Sequence, residues 1–426
     1  MKITSSHRLY ALGVIMFAAL VSCARIPGGV GAPPYLITLV IAGVAYLLAI
    51  REFFCTPRFP RRVIVIGLAL AALWHLPFLL MHAGADDDVH RYVWDGRMQR
   101  LGFNPYFVVP NDPAFSALHT EETRNLNNPD VPSPYPAGAQ LFFRAVTAIH
   151  ESAFAFKVAF VLCELAIVPL LLAELRRLGR GEHWVLAYAW NPLLVTCVTY
   201  SGHVDILGVL LLLLSATALE RRWRTFAAIT FGLAVAVKFL PIVLAPLYWR
   251  RVRVRDGLLA VLIVGLLYVP FLRGGSIPMG SISVFVERFR FNDPVFAEIE
   301  RIASPRIVAG LAALVGLITA AVLRRRHDGH SPQTFAWPMA ASLLCAPVIY
   351  PWYLLWLLPF VRSVSTVPLI IWTISILPTF YVWHLRTLGR QWVVPGWIVL
   401  LEYGTVAAAA AILEFRRLRR STNAAA

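Results

Sequence analysis

Apolar runs long enough to cross a bilayer recur along almost the whole chain, with arginine clusters between them, and this alternation constrains the fold more than any single motif. A transmembrane helix needs roughly 17–25 apolar residues. Such runs fall near 9–24, 34–50, 63–81, 153–175, 183–200, 203–219, 257–272, 304–323, 334–349, 351–364, 366–384 and 394–413. Charged residues make up 15% of the chain, against roughly 25% in soluble domains. The expectation is an all-α polytopic membrane protein of about twelve transmembrane helices.

The net charge of +16 does not point to nucleic acid, because the positive charge is arginine in short loops between apolar runs. Arg58, Arg61 and Arg62, then Arg176, Arg177 and Arg180, then Arg221, Arg222 and Arg224, then Arg324 to Arg326, and finally Arg416, Arg417, Arg419 and Arg420 all fall on one side if both termini are cytoplasmic. The acidic stretch 82–152 is then extracytoplasmic. This divides the chain into N-terminal spans (1–81), an outer loop (82–152) and a membrane helical domain (153–426) with a second outer loop at 273–303.

One segment breaks the alternation. Residues 225–249 carry arginines at both ends, which a single crossing would put on opposite sides. Lys238 and Pro241 divide the segment into two apolar halves of about a dozen residues, a length typical of re-entrant elements. The expectation is a hairpin that enters and leaves on the cytoplasmic side, with Lys238 near its tip. One tilted helix with a snorkelling lysine is the alternative.

The five cysteines stand singly in or beside apolar runs, without metal-ligand or redox spacing, and read as small apolar residues. Leu20-Val21-Ser22-Cys23 has the look of a lipoprotein cleavage box, but the same run serves as a first span.

Ionisable residues at membrane depth are costly and mark functional or paired sites. Four places qualify. Asp86, Asp87 and Asp88 stand in a row straight after an apolar span. Asp87 or Asp88 can cap a short helix, on which Asp88, Arg91, Tyr92 and Asp95 share one face and after which Gly102 is a natural stop. Such a carboxylate suits a general base and equally a solvated cap. Ser201-Gly202-His203-Val204-Asp205, at the outer end of a span, suits a phosphate or sugar hydroxyls, or simply caps the next helix. Lys238, alone in an apolar hairpin, wants an anion such as phosphate. Tyr350-Pro351-Trp352-Tyr353-Leu354-Leu355-Trp356 is either an interfacial belt or a wall for a polyprenyl chain or sugar ring. No Gly-rich phosphate loop, GxSxG or HExxH pattern appears, so energy should come from an activated lipid or a gradient.

Taken in order, these pieces resemble the polytopic GT-C glycosyltransferases that use polyprenyl-phosphate-linked sugars. The chain is most similar to the bacterial polyprenol-phosphate-mannose-dependent alpha-mannosyltransferases. The resemblance rests on Asp87-Asp88-Val89-His90-Arg91-Tyr92-Val93-Trp94-Asp95-Gly96-Arg97, on Gly102-Phe103-Asn104-Pro105-Tyr106, and on Tyr135-Pro136 with Gln140-Leu141. Gly202-His203-Val204-Asp205, the segment from Gly232 to Lys238-Phe239-Leu240-Pro241, and the Pro351–Trp356 block complete it. The chain departs from the family at His90, where a tyrosine is common, and at Ala137, where a second proline is common.

The resemblance implies transfer of a hexose, mannose above all, from a polyprenyl-phosphate carrier to a hydroxyl of a glycan or glycolipid, on the extracytoplasmic face of the cytoplasmic membrane. The base role falls on Asp88, with Asp87 the alternative. Donor and phosphate binding fall on Arg91, Arg97, His203, Asp205, Lys238, Tyr135, Trp352 and Tyr353. Cationic side chains can hold a monophosphodiester, so neither metal nor cofactor is expected. A lipid-linked glycan ligase or polymerase, or a transporter or flippase, is the alternative function.

Overall fold

A computed structural model of the chain describes residues 4–26, 29–84, 88–124, 126–272, 277–326 and 333–425. The described residues are helical throughout, with no β-strand. Three long helices come first: α1 (Ser5–Arg25), α2 (Pro33–Cys55) and α3 (Arg61–Leu80). Two helices of 13 residues follow, α4 (Asp88–Arg100) and α5 (Ala137–Ile149), and then the long α6 (Ala153–Arg177). The middle of the chain is more broken: α7 (Val185–Ala189), a π-helix at Leu194–Tyr200, α8 (Asp205–Glu220), α9 (Arg224–Val237), a 3₁₀ turn at Leu240–Leu244, and α10 (Ala245–Tyr248). Beyond it lie α11 (Val254–Tyr268), α12 (Ile282–Arg288), α13 (Pro294–Glu300), α14 (Pro305–Arg326) and α15 (Gln333–Leu344). A 3₁₀ run at Pro351–Phe360 leads to α16 (Val367–Ser375), α17 (Tyr381–Thr387) and α18 (Gly396–Ala425).

Among the described residues eight helical segments are long and apolar enough to cross a membrane, or nine if the π-helix and α8, bent by 114°, count as one span. The protein is therefore a multi-pass membrane protein. The difference from the expected twelve lies at 183–220 and 334–364. These runs are broken into shorter helical pieces, largely buried in the protein. Proline interrupts them: Pro192 precedes the π-helix, Pro338 sits inside α15, and Pro351 and Pro359 hold the next stretch in a 3₁₀ run. A proline removes an amide donor and clashes one turn back, which favours breaks at Pro192, Pro351 and Pro359; the helix that contains Pro338 ends at Leu344 after 12 residues.

Side-chain contacts gather the arginine clusters at one end of the bundle. Arg8 pairs with Glu52 at the end of α2. Arg177, closing α6, pairs with Glu220, closing α8. Thr225 at the start of α9 donates to Asp256 at the start of α11 (2.8 Å). Arg324 at the end of α14 donates to the Trp249 carbonyl (3.2 Å). The Thr225–Asp256 bond places the start of α9 beside the start of α11, and between them α9 stops before Lys238 and is followed by the Leu240–Leu244 turn and α10. At the opposite end, buried Lys157 at the start of α6 donates to the carbonyls of Phe78 (2.8 Å) and Met81 (2.6 Å). It thereby satisfies acceptors that the end of α3 leaves free.

Residues 88–152 cover that end. Buried Asp95 fixes them: it accepts from Arg91 Nε (3.0 Å), Gln140 Nε2 (2.8 Å) and the Ser133 hydroxyl. Breaking one partner of such a buried charged set costs about 3–5 kcal/mol.

Candidate active site

Asp88 opens α4, and α4 ends as its sequence suggests, with Gly102 at φ +85° and the Phe103 amide bonded back to the Met98 carbonyl (2.9 Å). The Asp88 side chain is 20% exposed. Its Oδ1 accepts from Asn127 Nδ2 (2.7 Å), and its Oδ2 lies 3.6 Å from His203 Nδ1. That second separation is close enough for electrostatic attraction but long for a hydrogen bond, and both His203 nitrogens are buried without a hydrogen-bond partner.

His203 arrives there because the chain turns sharply between the π-helix and α8. Gly202 holds φ +68°, a conformation that glycine takes without the steric cost a Cβ brings. The His203 ring stacks on Trp352 (centroids 3.8 Å, planes 14° apart), and Trp352 stacks on Tyr350 (4.3 Å, 14°). Two residues after His203, buried Asp205 opens α8. Its Oδ1 accepts from both Lys238 Nζ (2.7 Å) and Trp356 Nε1 (2.7 Å). Lys238, in extended conformation where α9 stops, also sits 3.7 Å above the Tyr353 ring. The Trp356 indole lies against Gly208, where a Cβ would come within 2.2 Å of the ring. Gly208→Ala should therefore push Trp356 away from Asp205 and lower both thermal stability and activity. A thermal melt beside a transfer assay checks this, and two unchanged values would contradict it.

The structure thus brings Asp88, His203, Asp205, Lys238, Trp352 and Tyr353 into one continuous cluster. Tyr135 joins through Tyr92 (5.1 Å, edge on), with its phenol pushed well above the usual range by burial and then by the Asp88 charge. Asp87 and Asp86 lie outside the described residues. Arg91 and Arg97 turn their guanidiniums elsewhere. Arg91 pairs with Asp95 and donates to the carbonyls of Asn128 (3.2 Å) and Val131 (2.9 Å). Arg97 donates to the Leu118 carbonyl (2.8 Å) and pairs with Glu151 (2.6 Å). Both act as struts of the 88–152 cover. Asn127 and Trp356 are the contributions that residue-by-residue reading missed. Trp356 lay within the aromatic block, but no sequence signal ties Asn127 to a carboxylate 39 positions earlier.

Burial pushes the Asp88 carboxyl up. The His203 imidazole, the Asn127 hydrogen bond and the Lys238 charge outweigh it, and the pKa lies below the ordinary 3.8. A depressed carboxyl stays ionised above its folded pKa and loses its charge only as pH falls through that value. A reaction that depends on the Asp88 carboxylate should therefore not fade between pH 7 and pH 5 on account of this group. In Asn127→Leu one support is gone, so the acid limb should move to higher pH. Matched pH–rate profiles of the two proteins check it, and an unmoved limb would count against the assignment.

A helical membrane protein whose one end gathers a carboxylate, an imidazole, an ammonium and an aromatic wall can hold a polar substrate at the lipid boundary and move a proton within it. A model of the alpha-(1->6)-mannopyranosyltransferase family, N-terminal domain, matches residues 27–252, just over half of the chain. The chain belongs to that family, and is a membrane mannosyltransferase of the GT-C type. The match takes in Asp88, Asn127, His203, Asp205 and Lys238; the aromatic block lies beyond it. No curated protein and no solved structure matches the chain.

Proposed function

We propose that the protein transfers mannose from a polyprenyl-phosphate carrier to a hydroxyl of a glycan or glycolipid, with Asp88 as the general base. The observation that carries this reading is the division of labour between the two aspartates. Asp205 is 1% exposed and is committed to Lys238 and Trp356. Asp88 is ionised, partly open and beside a cationic neighbourhood. In the reaction the Asp88 carboxylate takes the proton of the acceptor hydroxyl while that oxygen bonds to the anomeric carbon. The bond from that carbon to the carrier phosphate breaks, and the phosphate leaves with its electron pair. Lys238 and His203 hold its charge, stabilisation that commonly supplies much of an enzyme's rate. Trp352, Tyr350 and Tyr353 offer a wall to the sugar or the first isoprene units.

A single displacement inverts the anomeric centre, so a beta-linked donor gives an alpha product. Proton NMR of the purified product from such a donor tests this; a beta product would overturn the single-step mechanism.

The gathering of arginines at one end supports a cytoplasmic placement of that end and of both termini. Residues 82–152 then form the extracytoplasmic catalytic cover, between the spans of 1–81 and the membrane domain of 153–426 with its outer loop at 273–303. On this reading 225–249 is the re-entrant hairpin, and cysteines placed at Arg222 and Arg253 label from the same side. Labelling from opposite sides would make the segment a crossing.

A further inference from the structure

At the arginine-rich end, away from the catalytic cluster, a cavity of about 710 Å³ opens between α10 and α14. Its apolar lining is Ala245 and Pro246 of α10 with Leu317 and Ala321 of α14. Its rim carries Arg250, Arg324 and Arg325, and Trp249, 74% exposed, stands beside them. No acidic side chain among the described residues lines the cavity. Among the described residues no carboxylate pairs with Arg250, Arg324 or Arg325, although paired arginines are common elsewhere at this end, as at Arg177 and Arg176. The positive field is felt locally: burial and then the Arg324 charge hold the Arg251 guanidinium below its usual value. Arg250 adopts φ +61°, an unusual conformation for a residue with a side chain.

We propose that this cavity binds the phosphodiester headgroup of an anionic phospholipid. A general preference for positive charge on one side of a membrane would scatter arginines over the loops. It would not build an apolar-lined cavity with three guanidiniums at its mouth that have no carboxylate partner among the described residues. A phospholipid matches both parts: its phosphate suits the guanidinium forks, its glycerol and upper acyl carbons suit the apolar lining, and Trp249 suits the headgroup level. Basic pockets between transmembrane helices bind lipid headgroups on these grounds. The site goes beyond the proposed reaction and does not depend on it. It bears on that reaction through structure, since the Leu240–Leu244 turn and α10 follow Lys238 in the chain, and a lipid clamped between α10 and α14 braces them.

The test uses the full-length protein, stripped of lipid in detergent and returned to phosphatidylcholine vesicles with or without phosphatidylglycerol. Retained phosphatidylglycerol is counted by native mass spectrometry, and thermal unfolding is followed in parallel. Three variants are compared: Arg250→Gln with Arg324→Gln and Arg325→Gln, which removes the charge; Ala321→Phe, which fills the cavity from α14 with the charges intact; and Ala245→Phe, which fills it from α10. The expected result is retention and a rise in melting temperature with phosphatidylglycerol in the wild type, with retention at least about tenfold lower in all three variants. Either filling variant, if folded by circular dichroism, suffices for the second arm. Equal retention by wild type and variants overturns the site. Loss on charge removal with full retention after filling overturns it in favour of diffuse attraction. Displacement of the lipid by inorganic phosphate alone overturns the lipid in favour of a free-anion site. None of these readouts requires mannosyl transfer, so a failed transferase reading leaves the test intact.

Discussion

Asp88→Asn should lower mannosyl transfer at least about a hundredfold, since general-base catalysis typically contributes that much or more, while leaving the fold in place. The amide has nearly the shape of the carboxylate, and the side chain it replaces is 20% exposed, so little packing changes. What disappears is the basic oxygen that on the proposed mechanism takes the acceptor's proton, together with the negative charge facing His203 and Lys238. The loss should fall on kcat, with donor affinity preserved, because the proposed mechanism has Lys238 and His203, not Asp88, hold the donor's phosphate. Steady-state kinetics together with a melting curve separate the two. Equal kcat in mutant and wild type would move the base role elsewhere, Asp87 being the nearest carboxylate in sequence.

Lys238→Met should have the second large effect, and on two observables. Lys238 is the charged partner of Asp205, which is 1% exposed. Removing one partner of a buried pair leaves the other uncompensated, at a cost of about 3–5 kcal/mol. The single variant should therefore unfold at markedly lower temperature. It should also lose transfer by about a hundredfold or more, because the charge proposed to receive the leaving phosphate is gone. The double variant Lys238→Met with Asp205→Asn separates the effects. Neutralising both partners should restore much of the melting temperature and none of the rate. A double variant with recovered activity would make Lys238 purely structural.

Much of the candidate cluster was legible before the structure because costly groups stand out in an apolar chain. Asp88, His203, Asp205 and Lys238 each interrupt apolar sequence, and each sits beside a helix end. At such ends the backbone offers unsatisfied groups and the side chain has room to turn inward. Trp352 and Tyr353 were visible as an aromatic block following a proline, and the 3₁₀ run that proline starts turns Trp352 onto His203.

The arginines were less legible, for a physical reason. A guanidinium carries five donors, and backbone carbonyls are everywhere, so sequence position says little about which acceptors it meets. Arg91 shares a helix face with Asp88, yet its donors go to Asp95 and to carbonyls about 40 residues away. Asn127 was illegible for the complementary reason: it reaches Asp88 only through the folding of the intervening cover. The span count missed because apolar length alone does not separate a helix that crosses lipid from short helices buried in protein. The prolines at 192, 338, 351 and 359 were the available sign.

Donor chemistry tests the central claim most directly. Purified protein is offered, in separate reactions, mannose on a polyprenyl monophosphate, mannose on a nucleoside diphosphate, and an oligosaccharide on a polyprenyl diphosphate, each with the same hydroxylated acceptor lipid. Transfer is expected from the monophosphate lipid alone, with an alpha-linked product. Transfer from the nucleotide sugar, or of the oligosaccharide from its diphosphate, would contradict the claim.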